Sequence, residues 1–527
     1  MNSYNVKDLA EYIKRAKAKG QPFVLFTGAG CSKSAGMPLA SELVDEINQK
    51  YTLDLKSLSE DEKRDYGKCM SALTKDDRRD LLQTYIKSAK INWAHIVQAI
   101  LLEQNYIQRV FTFNFDNILA RSCGLIGLYP SIYDFTTANF DLLDLIINPA
   151  IVHLHGQSHG FTQLNTDQET NLHAARLSQF IATTLSQSPS LFIGYSGQAD
   201  AFFPLLVEKF SDQKKLFWVG REKTAPKHIN DNLISPNNAA HYLYNSDADR
   251  FFIELAQELE CFPPLVFSDP FTFLLEQFEV ILDFPTQENV GVDILTSTRL
   301  SLQKACEEEK IENRPNFESL FMEGKYEECI AQSTGIKLKD EEKSSVIWSH
   351  ILLGNKISDH AAEEKNKTLF DESFEHYKKA LSIEANTYEA LNNWGLALCE
   401  LAILKDDIDT FKLSIEKFEK AVEINPQYSD AISNWGSSLL RIYNLEKNND
   451  VIVEAESKLM DAKLLNDKPS YNLACLYAVQ HNFSNCKEEL YNCLKAGTLP
   501  EKSFIENDID LVSIREEDWY KELLKNI

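Results

Sequence analysis

The residues with most chemistry to offer stand in short clusters, four of them at the end of an apolar run and the fifth before a helix. Thr27-Gly28-Ala29-Gly30-Cys31-Ser32 follows Phe23-Val24-Leu25-Phe26 and precedes a helical pattern in which Leu39, Leu43 and Ile47 recur every four residues. Glycine lets the backbone approach a pyrophosphate closely, and the N-terminus of the next helix offers free N–H groups and a favourable dipole. A strand running into Gly-x-Gly and then a helix points to a dinucleotide; a structural tight turn is the plainer alternative. Thr112-Phe113-Asn114-Phe115-Asp116 supplies an amide and a carboxylate two residues apart, which an extended chain points to one side. Asp116 as a cap for the helix Asn117-Ile118-Leu119 is the competing reading. His153-Leu154-His155-Gly156 ends another apolar run, and only one of its imidazoles need reach a ligand crevice. No metal is expected on the pair, because no cysteine or carboxylate cluster supports it. Gly194-Tyr195-Ser196-Gly197 and Ser246-Asp247-Ala248-Asp249-Arg250-Phe251 complete the set.

Elements must hold these clusters together. Phe23–Phe26, Val110–Phe113, Ile151–Leu154, Ser190–Ile193 and Leu216–Val219 are short and rich in β-branched and aromatic residues. Near-continuous apolarity marks strands covered on both faces, the habit of parallel sheets in α/β proteins. The carboxyl ends of such strands face the ligand crevice, and four of the five clusters fall at or after one, the fifth standing before a helix. Of 19 glycines, 12 lie in the first 220 residues, where backbone geometry has the greatest use for them. The stretch from about 40 to 109 interrupts the alternation and reads as a helical insertion. The expected divisions are an α/β domain over 1–260, a packed, proline-punctuated helical connector over 261–316, and an all-α repeat domain over 317–527. In the last, Ala380, Ala421 and Ala462 are spaced by 41 residues, as are Tyr377, Phe418 and Leu459, and Trp394-Gly395 recurs as Trp435-Gly436. A period in this range means stacked helical hairpins. An irregular helical bundle with chance matches is the alternative.

Composition narrows the rest. At 527 residues the chain should hold about three or four domain-sized units. Its formal charge of −25 disfavours sequence-independent binding to nucleic acid or anionic lipid. A small anionic ligand remains possible, since backbone N–H groups act locally. Ten cysteines lie scattered with no Cys-x-x-Cys pair, which suits buried thiols in a reducing cytoplasm better than disulfides or structural zinc. Met1-Asn2-Ser3-Tyr4 opens no signal peptide, and no apolar run reaches membrane-spanning length. A soluble cytoplasmic protein is expected.

Taken in order, the clusters resemble the NAD-binding core of the sirtuin, or SIR2-like, family. Gly28-Ala29-Gly30-Cys31-Ser32 resembles its Gly-Ala-Gly-x-Ser loop, and Gly36-Met37-Pro38 the Gly-x-Pro beyond it. Thr112-Phe113-Asn114-Phe115-Asp116 is similar to Thr-Gln-Asn-x-Asp, His155-Gly156 to the catalytic His-Gly, and Gly194-Tyr195-Ser196 to Gly-Thr-Ser. Asp247-Ala248-Asp249 matches an adenine-side Asp-Ala-Asp. The departures are equally specific. No cysteine lies between Gly156 and Gly194, where deacylases of the family carry two zinc-binding Cys-x-x-Cys pairs. Leu39-Ala40-Ser41 replaces Asp-Phe-Arg, and Phe113 replaces a glutamine. This combination resembles the NAD-hydrolysing branch, whose members often act in bacterial defence against phage. The later repeats resemble tetratricopeptide repeats lengthened from about 34 residues.

The resemblance implies an α/β, Rossmann-like parallel sheet with a helical insertion, followed by a tetratricopeptide-like solenoid. It implies NAD⁺ as substrate and no metal. Gly28, Ala29, Gly30, Ser32, Gly194 and Ser196 would meet the phosphates, Asp247 and Ala248 the adenine side, and Asp116 the nicotinamide carboxamide. Asn114 would place water or a ribose hydroxyl, and His155 would act as general base. An unrestrained NAD hydrolase would poison its own cell, so a gate is expected: a protein trigger bound at the concave face of the repeats, acting through the packing of a homo-oligomer. An NAD-dependent deacylase or ADP-ribosyltransferase that recruits substrate through the repeats is the alternative enzyme. A non-catalytic NAD-sensing adaptor is the alternative outside enzymology.

Overall fold

Seven short parallel strands form one sheet. They are β1 (Phe23–Thr27), β2 (Ile107–Thr112), β3 (Ser131–Asp134), β4 (Ala150–His153), β5 (Ser190–Ile193), β6 (Leu216–Gly220) and β7 (Ala240–Tyr244), in the order β3-β4-β2-β1-β5-β6-β7. The computed structural model describes residues 4–137, 145–157, 164, 166–198, 201–245, 247–282, 294–311, 315–500 and 502–525. The chain divides into two compact units, Met1–Asn313 and Arg314–Ile527. Five of the strands match the apolar runs of the sequence. The other two, β3 and β7, are the sheet's edges. Their residues are mixed in burial, so their composition never becomes continuously apolar.

The sheet winds outward in both directions from β1. Chain order runs one way through β2 and the other way through β5, which makes the β1/β5 boundary the topological switch point. Register brings the strand ends into one row: Asp134, His153, Thr112, Thr27, Ile193, Val219 and Leu243 are successive lateral partners. The chain leaving this row builds the site. On one face the sheet is pinned by an aromatic ladder. Phe26 stacks on Phe192 at 4.3 Å and Phe111 at 4.8 Å, and Phe192 stacks on Trp218 at 5.2 Å. Each such cross-strand pair contributes about 0.5–1.5 kcal/mol beyond simple burial.

The interval between β1 and β2 is helical, with helices at Ala40–Lys50, Tyr66–Ala72, Lys75–Ser88 and Trp93–Glu103. Leu43, Val44, Ile47, Cys69, Met70, Leu81, Leu82 and Ile86 close a small core of their own. The expected insertion ended at 109, but β2 already begins at Ile107. Beyond the sheet come helices Leu265–Ser268, Pro270–Glu279 and Ile294–Ile311; residues 283–293 and 312–314 of the expected connector lie outside the described residues.

The second unit is all helical. Its helices pair in succession: Asp340–Glu363 with Lys367–Ile383, Tyr388–Lys405 with Ile408–Ile424, Ser429–Glu446 with Asn449–Asn466, and Tyr471–Val479 with Phe483–Ala496. The 41-residue period has a steric basis. A Cβ placed on Gly395 would lie 2.5 Å from the Phe418 ring, and one on Gly436 would lie 2.7 Å from Leu459. Gly354 meets Tyr377 in the same way, at 2.9 Å. In each hairpin a glycine of the first helix receives the large residue of the second, while Ala380, Ala421 and Ala462 are buried nearby in sequence. All ten cysteines are free thiols. Among the described residues no helix is long and apolar enough to cross a membrane.

Candidate active site

The loop after β1 meets the loop after β5 backbone to backbone. Gly28 N–H donates to Ile193 O at 3.1 Å, and Gly30 N–H donates to Gly194 O at 2.9 Å. A Cβ on Gly28 would fall 2.4 Å from Gly194 O, and one on Gly30 would fall 2.8 Å from Gly194 Cα. Gly194 itself has φ +69°, and a Cβ there would strike Cys31 N at 2.7 Å. Three glycines are therefore required for the two loops to close on each other. Between Gly28 and Ser32 the chain makes a single 3-10 turn, Ala29–Cys31. The Ala29 N–H opens that turn on an exposed residue and has no partner among the described residues.

Asn114 and Asp116 converge on the same loop from the end of β2. The Asn114 amide donates to Gly28 O at 3.1 Å and to Ser32 Oγ at 2.9 Å. Ser32 Oγ donates to Asp116 Oδ2 at 2.9 Å, and Asp116 Oδ1 accepts from Ile118 N–H at 3.0 Å. Asp116 is thus tied at once to the start of the helix Ile118–Leu125 and to the glycine loop. Ser32, expected at the phosphates, is 1% exposed, with its proton given to Asp116. Its hydroxyl links Asn114 to Asp116 instead of facing the crevice.

The two histidines at the end of β4 part company. His153 is buried and its Nδ1 bonds to the Asn114 carbonyl at 3.1 Å, so it fixes the backbone of the residue expected to position the nucleophile. His155 is half-buried against the edge of Phe113, with ring centroids 5.2 Å apart. Burial among apolar groups, and secondarily the charge of His173, lowers its pKa from 6.5 to about 4. The imidazole is therefore neutral at physiological pH, the state in which it can accept a proton. No hydrogen bond joins Asn114 to His155 among the described residues; Phe113, the neighbour of Asn114, is what His155 touches. Phe113 also stacks on Tyr195 at 4.3 Å and meets Phe202 edge-on at 4.9 Å. Phe113 thus builds an apolar wall across the ends of β2, β4 and β5.

Ser196 is exposed, with its carbonyl held by His228 Nε2 at 2.9 Å. Asp247 and Ala248 follow β7, on the far side of β6. Asp247 caps the helix Ala248–Glu258 by accepting from Arg250 N–H at 2.9 Å, and Ala248 is half-buried. Ser246 lies outside the described residues. Asp249 accepts from Ala94 N–H at 2.5 Å, at the start of the helix Trp93–Glu103.

One participant was missed by sequence reasoning. Asn92, the N-cap of that helix, donates to Cys31 O at 2.8 Å and Ser34 Oγ at 2.7 Å. The insertion therefore braces the glycine loop from behind. Its only signal is a capping-type residue before an apolar helical run. Beside it, burial and then the charges of Asp249 and Asp116 push the Cys31 thiol up, so it stays protonated and is no nucleophile.

No protein-family model matches the chain. No curated protein matches it. Among solved structures it is similar to a mutant Sir2 described with a p53 peptide and NAD, at 16% identity, over 48% of this chain and 98% of that one, with a TM-score of 0.28. It is similar also to Sir2Tm bound to a propionylated peptide, at 17% identity, over 48% and 98% of the two chains, with a TM-score of 0.29.

Proposed function

We propose that the first unit cleaves the bond between nicotinamide and ribose in NAD⁺, giving nicotinamide and ADP-ribose. The observation that carries this reading is the closure of Gly28 and Gly30 on Gly194 at the switch point of the sheet. This cradle leaves the Ala29 N–H open to a pyrophosphate and keeps Asn114, Asp116 and His155 on neighbouring strand ends. Gly28, Ala29, Gly30, Gly194 and Ser196 would line the phosphates. Ser32 would serve by holding Asn114 and Asp116 in place.

Nicotinamide leaves as a neutral ring because its glycosidic nitrogen is cationic in the substrate. The breaking C–N bond returns its electron pair to that nitrogen and leaves an oxocarbenium-like ribose. Water adds its oxygen to the anomeric carbon, and His155, neutral at physiological pH, takes the released proton. Asn114 would place the water and Asp116 would hold the carboxamide, positioning being a large part of the acceleration. The biological reading is NAD⁺ depletion in bacterial anti-phage defence, gated by a protein trigger at the helical repeats and by homo-oligomer packing in the cytoplasm.

Product analysis tests the chemistry. Whatever NAD⁺ the protein turns over, with or without an acylated peptide, is expected to appear as nicotinamide and free ADP-ribose. O-acyl-ADP-ribose with the peptide would assign it to deacylation. ADP-ribosylated protein would assign it to transfer.

A further inference from the structure

Within the repeat unit a cavity of about 340 Å³ opens beside Tyr471–Val479. Leu440, Phe504 and the Tyr471 ring make its apolar side; Asp508, Asp510 and Arg441 make its charged side. The two carboxylates differ. Asp510 has its cation, with Arg441 Nη1 at 3.2 Å and the Asn444 amide donating at 2.6 Å. Asp508, only 8% exposed, has no ion pair among the described residues. It accepts from the Tyr471 hydroxyl at 2.8 Å, the Cys475 thiol at 3.6 Å and the Asp510 N–H at 2.9 Å, all neutral donors. The Arg515 guanidinium donates to the main-chain carbonyl of Asp508 at 3.0 Å and not to its carboxylate. Two acids and one base leave the lining one negative charge in excess. A buried carboxylate without a countercharge is costly, and a cation entering the cavity would recover that cost.

We infer that this cavity takes the side chain of a lysine presented by a partner protein. Its methylenes would lie along Leu440 and Phe504, and its ammonium would reach Asp508. Lysine combines an apolar stem with a charged head, which matches the two sides of the lining. The volume lies at the small end of ligand cavities, about 300–1,000 Å³, and fits one long side chain. A protein segment is favoured over a free amine by what lies next door. A second cavity of about 190 Å³ shares Tyr471 and Asn472 and carries Lys468. Lys463, also there, is already paired with Glu489 at 2.6 Å. A chain with an acidic residue near its lysine would satisfy both. This deepens the reading of the repeats as a trigger surface, and its test uses no NAD⁺, so the two can fail separately.

The test is calorimetric titration of the full-length protein with Nα-acetyl-lysine-N-methylamide, its norleucine analogue and 1,5-diaminopentane. The lysine probe should saturate with a Kd on the order of 1 mM, as a ligand of its size allows. The norleucine analogue should bind at least about tenfold more weakly, since it leaves Asp508 unpaired. Asp508→Asn should cost the lysine probe about tenfold. Phe504→Ala, at an exposed ring outside the Asp508 bonds, should cost it about threefold, and this variant decides the matter if Asp508→Asn does not fold. Equal binding of the norleucine probe, undiminished binding by a folded variant, or no saturation at about 20 mM would overturn the assignment. So would tighter binding of the diamine, which would make the ligand a free amine.

Discussion

Glycine does opposite work in the two units. At the switch point Gly28, Gly30 and Gly194 let two stretches of main chain touch, so neither side can retreat. In the repeats Gly354, Gly395 and Gly436 sit inside helices and receive a side chain, which can be trimmed or re-rotated. Helical glycine ordinarily costs about 1 kcal/mol relative to alanine, so its recurrence every 41 residues implies a packing gain that outweighs propensity. One unit thus uses glycine to lock two loops together, the other to set the approach of paired helices.

The largest expected effect breaks the first kind. Gly28→Ala puts a methyl 2.4 Å from a main-chain oxygen and should cost about 3 kcal/mol or more in denaturant unfolding of its unit, with no rescue from trimming a neighbouring side chain. Gly395→Ala, the second kind, should cost about 1–3 kcal/mol. Here Gly395→Ala combined with Phe418→Val should regain part of the loss, with a coupling of about 1 kcal/mol. Rescue in both units, or in neither, would erase the distinction.

A smaller effect depends on pH. The folded pKa of His155 is lowered, so the unfolded chain takes up its proton first. Its contribution to stability should be complete above pH 6.5 and fade as pH falls to about 4. His155→Asn should flatten that interval in pH-dependent melting curves; an unchanged slope would contradict the burial assigned to the ring. The smallest effect lies in the repeats. Lys458 sits 3.7 Å above the Trp435 ring and Lys417 sits 4.2 Å above Trp394, so the same contact recurs 41 residues apart. Either lysine changed to alanine should lose about 0.5–1 kcal/mol.

Legibility in the sequence followed burial. The five central strands are buried along most of their length, with Gln108 and Arg109 of β2 the main exception, and write that fact as short apolar runs. β3 and β7 each pair on one side only, with Ile132 and Tyr244 each 45% exposed, so their pattern dissolves into its surroundings. The motif residues were legible as types, but their partners were not. Nothing local announces that Ser32 will be buried between Asn114 and Asp116, or that Asn92 reaches the glycine loop across 61 positions of chain. The Ser32 bonds exist because register aligns the ends of β1 and β2, a property of the whole sheet, and the Asn92 bonds because a helix of the insertion starts behind the loop. In the repeats periodicity did more: Tyr377, Phe418 and Leu459 were visible as a series, though Gly354, lacking the tryptophan before it, was not read as their first receiving glycine.

The most direct measurement is a crystal structure of the full-length protein grown with ADP-ribose. The pyrophosphate is expected on the Ala29 N–H, over the junction of the Gly28 and Gly194 loops, with the terminal ribose carbon facing Asn114 and His155. ADP-ribose bound elsewhere, or bound there with that carbon turned away from both side chains, would contradict it.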